Sequence, residues 1–130
     1  MKLAIIGSRD FNNYKLLYDV LEYYKSRITL VISGAAPGAD TLGAKWSKEV
    51  LNIEPLEFPA EWSNLGVTPC KIKFRSDGSK YNALAGFNRN ENIIKNCDCC
   101  IAFWDGKSPG TKNSISICEK LNKPYKIIKF

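Results

Sequence analysis

With 130 residues, 45% of them hydrophobic and 25% charged, the chain is of one-domain size and has ordinary globular composition, enough for a core without metal or disulfide staples. It contains no histidine, which removes Ser-His-Asp triads, Cys-His pairs and histidine-ligated zinc. The net charge of +6 favours an anionic partner, while the absence of any apolar run near the roughly 20 residues that cross a bilayer argues against a membrane one.

The opening run Leu3-Ala4-Ile5-Ile6, ended by Gly7, predicts a strand buried on both faces. It is also too short for a signal peptide, so a cytoplasmic protein is expected. Tyr14, Leu17, Tyr18, Leu21 and Tyr24 recur at helical spacing between Asn13 and Ser26. Thr29 to Ile32 reads as a second buried strand, Ala39 to Val50 as a helix, and Leu56 to Phe58 as a weaker third strand. From Ala60 to Ser79 the pattern breaks into an irregular insertion, with a strong turn at Asp77-Gly78 and a short hairpin arm suggested by Lys71 to Phe74. A helix over Tyr81–Asn96, a strand over Cys99–Phe103, a helix over Thr111–Leu121 and a closing strand over Tyr125–Ile128 complete the series. Strictly alternating strands and helices predict one α/β domain over residues 1–130, a parallel sheet of about five strands covered by helices on both faces.

Five cysteines, three of them clustered as Cys97, Cys99 and Cys100, fit a reducing compartment and small apolar positions at a strand's start better than a metal site. No metal or cofactor is expected.

Ligands of such sheets bind beyond the carboxyl ends of the strands, so the turns there carry the functional reading. After strand one, Gly7-Ser8-Arg9-Asp10 offers close backbone approach, a hydroxyl and a guanidinium fork for phosphate, or simply a turn with a surface arginine. After strand two, Ser33, Gly34, Ala35, Gly38 and Ala39 are small enough for main-chain amides to surround an anion, with Asp40 as a helix cap or an acceptor from ribose hydroxyls. The order of residues is neither a Walker A loop nor the dinucleotide fingerprint. After the fourth strand, Trp104 offers a base-stacking surface or a core residue. Gly106, Ser108, Gly110 and Thr111 then open a helix, with Thr111 as cap and phosphate donor and Asp105 as an acceptor from ribose hydroxyls. Arg89, Asn90 and Glu91, on the preceding helix, read alone as a solvated face.

Taken together, Gly7-Ser8-Arg9-Asp10-Phe11, Ser33-Gly34-Ala35-Ala36-Pro37-Gly38-Ala39-Asp40, Ala85-Gly86-Phe87-Asn88-Arg89-Asn90 and Asp105-Gly106-Lys107-Ser108-Pro109-Gly110-Thr111 resemble the SLOG superfamily, and within it the YspA-like, YpsA-related branch of small stand-alone proteins. The resemblance runs almost end to end and is weakest from Ser63 to Ser79. It implies a Rossmann-like fold, a nucleotide-derived ligand and self-association into a homo-oligomer. Relatives include phosphoribohydrolases, the DNA-processing protein DprA and sensors of ADP-ribose-type signals. In the hydrolases a glutamate follows the Gly-Thr pair; here Ser114 occupies that position, after Asn113.

Cleaving an N-glycosidic bond needs a carboxylate and a base, and without that glutamate Asp40, Glu91 or Asp105, with Arg89, would have to serve. Binding needs neither. The leading expectation is therefore a sensor or sequestering protein for an ADP-ribose-like or other nucleotide-derived molecule. N-glycosidic cleavage and single-stranded nucleic-acid binding rank below it.

Overall fold

The computed structural model describes residues 1–130. In chain order it comprises β1 (Lys2–Gly7), α1 (Tyr14–Glu22), β2 (Leu30–Ser33), α2 (Ala39–Trp46), β3 (Leu56–Glu57), β4 (Ile72–Phe74), β5 (Lys80–Asn82), α3 (Ala85–Asn96), β6 (Cys99–Trp104), α4 (Pro109–Lys120) and β7 (Tyr125–Lys129). Five strands form a parallel sheet in the order β3-β2-β1-β6-β7.

The alternation of side chains along β1 divides the core. Leu3 and Ile5 join Val31, Ile101 and Phe103 on one face, under Leu17 and Leu21 of α1 and Trp46 of α2. Ala4 and Ile6 join Ile32, Cys100 and Ala102 on the other, under Ile93 and Ile94 of α3 and Ile115 and Cys118 of α4. Both faces of the central strands are covered, which is why their sequences read as unbroken apolar runs. Cys97, Cys100 and Cys118 are buried as small apolar residues of the second face.

Local chemistry sets the boundaries. The Asn13 side chain accepts from the Leu16 N–H at 3.0 Å and starts α1, which ends at Glu22, short of the expected Ser26, and gives way to a 3-10 turn at Lys25–Arg27. Past Trp46 the α2 helix widens into a π-helical turn, Ser47–Leu51, where the Ser47 hydroxyl donates to the Ile53 carbonyl at 2.7 Å. The helix expected from Tyr81 begins instead at Ala85. Lys80–Asn82 pairs antiparallel with Ile72–Phe74 across a turn in which Gly78 has φ +87 and Asp77 accepts from the Ser79 N–H at 2.9 Å. Asn82 then ends the arm, its Oδ1 accepting from the Lys71 and Leu84 N–H groups. Proline at the first position starts α4 at Pro109, two residues before the expected Thr111.

The closest backbone approach is at the end of β1. A Cβ on Gly7 would lie 2.3 Å from the Phe103 carbonyl oxygen and 2.7 Å from the Ala39 Cβ. Gly7→Ala is accordingly expected to destabilise the fold by about 1–3 kcal/mol through overpacking. Urea unfolding measures this, and an unchanged midpoint would show that β1 and β6 have room to part.

Candidate functional site

The strand order reverses at β1, which lies between β2 on one side and β6 on the other. A crevice is expected beyond the carboxyl ends of such a pair. An open cleft of about 510 Å³ lies there, within the usual range for small-molecule sites.

The end of β1 supplies Gly7, Ser8, Arg9 and Asp10 to the cleft. Ser8 is only 1% exposed, and its polar atoms are turned to the protein. Its N–H donates to the Phe103 carbonyl at 2.9 Å, and its own carbonyl accepts from Phe11 and Ala39. Its hydroxyl accepts from the Asp105 N–H at 3.2 Å. One residue thereby ties together the turns after β1, β2 and β6. Arg9 and Asp10, by contrast, are exposed at the rim.

Three amides of the turn after β2 are taken up from within. The Ala35 N–H donates to the Ser33 hydroxyl, the Ala36 N–H donates to the Asp40 carboxylate at 3.3 Å, and the Ala39 N–H donates to Ser8. Gly38, at φ +85, presses against the Ser8 and Arg9 carbonyls, where a Cβ would sit 2.4–2.5 Å from their oxygens. Ser33, Gly34, Gly38 and Ala39 thus shape the turn without lining the cleft, and Ala35 faces a separate groove beside Thr41 and Lys45. Asp40 does reach the cleft, although it is only 6% exposed. Its burial raises its pKa from 3.8 to about 6, against the opposing pull of Arg89, the Ala36 and Gly34 N–H groups and Arg9.

Arg89 stands on α3 across Gly34 from Asp40 and donates to the Gly34 carbonyl through Nη1 and to the Asn90 side chain through Nε at 3.0 Å. Burial lowers its pKa, Asp40 opposes that shift, and Arg9 adds to it. Asn90 donates to the Gly110 carbonyl and the Asn113 side chain, joining α3 to α4. Glu91 lies outside the cleft, paired with Lys95 at 3.0 Å.

The turn after β6 is built differently. Asp105 accepts from the Ser108 and Lys107 N–H groups, both at 2.8 Å, and those bonds lower its pKa. It lines the cleft with Ser108, Gly110 and Thr111. The N–H groups of Gly110 and Thr111 have no protein partner, no side chain caps α4, its first turn holds no acid, and a Cβ on Gly110 would meet nothing within 4 Å. Here an anion would find open amides and the positive end of a helix. Trp104 and Gly106 lie outside the cleft. The indole donates to the Ser108 carbonyl at 3.1 Å beneath the Lys129 ammonium, 5.2 Å from the ring centre, and a Cβ on Gly106 would meet that ammonium.

The opposite wall includes residues outside the set predicted from sequence: Trp62, Ala83, Gly86, Phe87 and Ser114. Trp62 packs edge-on against Tyr81, with its six-membered ring over Gly86. A tryptophan near the start of the irregular insertion was the one available signal. Ser114, at the position where the hydrolases carry glutamate, brings a buried hydroxyl to the floor.

A parallel, helix-covered sheet with its cleft at the reversal of strand order defines a Rossmann-like α/β protein. Residues 1–64 match the model of the YspA, cpYpsA-related SLOG family. The gene 61 protein of Mycobacterium phage D29 is 28% identical over 131 residues, covering 95% of this chain and 92% of that protein. Among solved structures, DNA processing protein A from Helicobacter pylori, described for its single-stranded DNA binding mode, superposes with a TM-score of 0.65 at 20% identity. That likeness covers 98% of this chain, and the chain spans 64% of that structure. No helix is long and apolar enough to cross a membrane.

The Asp40 environment has a measurable consequence. Its folded pKa of about 6 exceeds its ordinary 3.8, so the folded state holds this proton more tightly than the unfolded chain. The stabilising proton is fully bound below about pH 4 and is lost as pH rises to about 6, at a cost of about 3 kcal/mol. Asp40→Asn, which carries no titrating proton, should remove this component. The check is the stability difference between wild type and variant, measured by denaturation from pH 4 to pH 7; a difference independent of pH would contradict the assignment.

Proposed function

We propose that the cleft holds a nucleotide-derived small molecule, with its phosphate at the amino end of α4 and Arg9 as the mobile cation closing over it. The observation that carries this reading is the pair of unpartnered N–H groups at Gly110 and Thr111, in a cleft that also contains Arg9. Ser108 and Thr111 add hydroxyl donors, while the Trp62–Phe87 wall offers aromatic surface to a base. Arg89 and Asp40 set the depth of the cleft, and Asp40 accepts from a ribose hydroxyl. The ligand belongs to the ADP-ribose-like or nucleoside-phosphate class, and the protein senses or sequesters it.

N-glycosidic cleavage is the second reading, favoured by one feature: Asp40 is a buried cleft carboxylate that takes up its proton near neutral pH. Incubation with nucleoside monophosphates and ADP-ribose, followed by chromatography for free base, separates the two, and turnover above a protein-free blank establishes cleavage.

For binding, titration calorimetry against the same compounds should find a ligand. Arg9→Ala should weaken it about 10- to 150-fold, as expected for loss of one charge-assisted hydrogen bond. Equal affinity in the variant removes Arg9 from the site. Native mass spectrometry of the purified protein reads retained ligand and subunit number together, testing the proposed homo-oligomer as well.

A further inference from the structure

The β4–β5 arm lies outside the cleft and carries a charge pattern that nothing in the cleft requires. Residues 71–80 hold Lys71, Lys73, Arg75 and Lys80 against the single acid Asp77, so ten residues supply half of the chain's net charge of +6. None of these four cations takes part in an ion pair; the acids and bases that do pair lie elsewhere, on α1, α3 and the turns flanking α1 and α2. Arg75 is held locally, donating to the Ser79 hydroxyl and the Lys80 carbonyl and lying 5.0 Å from the Tyr81 ring centre.

Apolar side chains are interleaved with this charge. Lys73 pairs with Tyr81 across the arm, so Ile72, Phe74 and Lys80 share the opposite face. Phe74 is 65% exposed and Ile72 51% exposed, and neither has a covering element. At the base of the arm the Ala83 N–H donates to the Lys71 carbonyl and Tyr81 meets Trp62, so the arm springs from the aromatic wall of the cleft.

We infer that this arm is a docking surface for single-stranded nucleic acid. Unpaired cations following one another along a ribbon match a phosphate backbone, and the exposed Phe74 ring beside Lys80 offers a stacking surface to a base that a duplex keeps covered. A second copy of the chain is a poor occupant, because two arms of like charge repel. An acidic phospholipid surface shares the charge preference but gives the stacking surface no partner. The inference stands apart from the cleft reading, since none of the arm residues lines the cleft.

The test is fluorescence anisotropy of a labelled oligothymidylate of about 16 nucleotides, titrated at roughly 50 and 200 mM salt. Wild type should bind with a steep salt dependence. The triple variant Lys71→Gln, Lys73→Gln, Lys80→Gln should lower the slope of log affinity against log salt by about 2, from three lost phosphate contacts at about 0.7 each. Phe74→Ala should weaken binding about fivefold or more at fixed salt. Because these side chains are exposed, both variants should keep the wild-type melting temperature. Neither should change the calorimetric affinity of the cleft for a nucleotide, so failure of either reading leaves the other standing. Four results would overturn the assignment: no binding at the lower salt, an unchanged slope in the triple variant, equal affinity for a duplex of the same length, or binding only to phosphatidylserine vesicles.

Discussion

Everything at the carboxyl edge of the sheet is held in place by the way three turns meet at Ser8. Its amide, carbonyl and hydroxyl each bond a different part of the chain: Phe103 on β6, Phe11 and Ala39 around the first two turns, and Asp105 at the start of the third. Each bond contributes about 1 kcal/mol, but breaking one inside this nearly closed junction leaves a polar group unsatisfied at a cost of about 1–3 kcal/mol. The junction closes only because the flanking residues are small. Gly7 lies against the Phe103 carbonyl, and Gly38, at positive φ, lies against the carbonyls of Ser8 and Arg9. The serine, read from sequence as offering its hydroxyl to a ligand, instead bonds the three turns to one another.

That junction leaves two helix starts that differ in charge: α2 has Asp40 in its first turn, and α4 has no acid there. At α2 the Ala35, Ala36 and Ala39 amides are taken up by Ser33, the Asp40 carboxylate and Ser8, so the protein places an anion of its own beside that turn. At α4 Asp105 has tightened the preceding turn by accepting from Lys107 and Ser108, and the next two amides are left open. Arg89 is held between the two, bonded to Gly34 and Asn90 and facing Asp40 across Gly34. Arg89 is thus held by the protein's own atoms, whereas Arg9 stands exposed at the rim.

The parts of the fold that were legible in the sequence are those governed by local pattern. Unbroken apolar runs such as Leu3–Ile6 and Cys99–Phe103 identify strands covered on both faces, and glycine-rich turns mark their ends. The start of α3 was misplaced because Lys80–Asn82 owes its extended form to a partner eight residues away and to the Asn82 side chain, not to its own periodicity. In the site, Arg9, Arg89, Gly110 and Thr111 could be named because residue type and turn position point the same way. Trp62 and Phe87 could not, since only the folded chain brings the start of the insertion over α3. The pairing of the Ala35, Ala36 and Ala39 amides was equally hidden: small residues announce accessible amides but not which acceptor takes them.

The disposition of carboxylates bears on what happens to a bound guest. Asp105 has one oxygen committed to two backbone amides, which holds it ionised and oriented toward its own turn. Glu91 is turned outward to Lys95, and Asp10 stands in solvent at the rim. Where a hydrolase would place glutamate, Ser114 offers a hydroxyl, which can orient a polar group but cannot balance charge developing on a ribose. Only Asp40 combines burial with a place in the cleft, and it is tethered to Ala36 with Arg89 close by. On the proposed binding reading, the open amides of α4 and the exposed Arg9 would meet an anion, while these acids are engaged by the protein's own loops or by solvent.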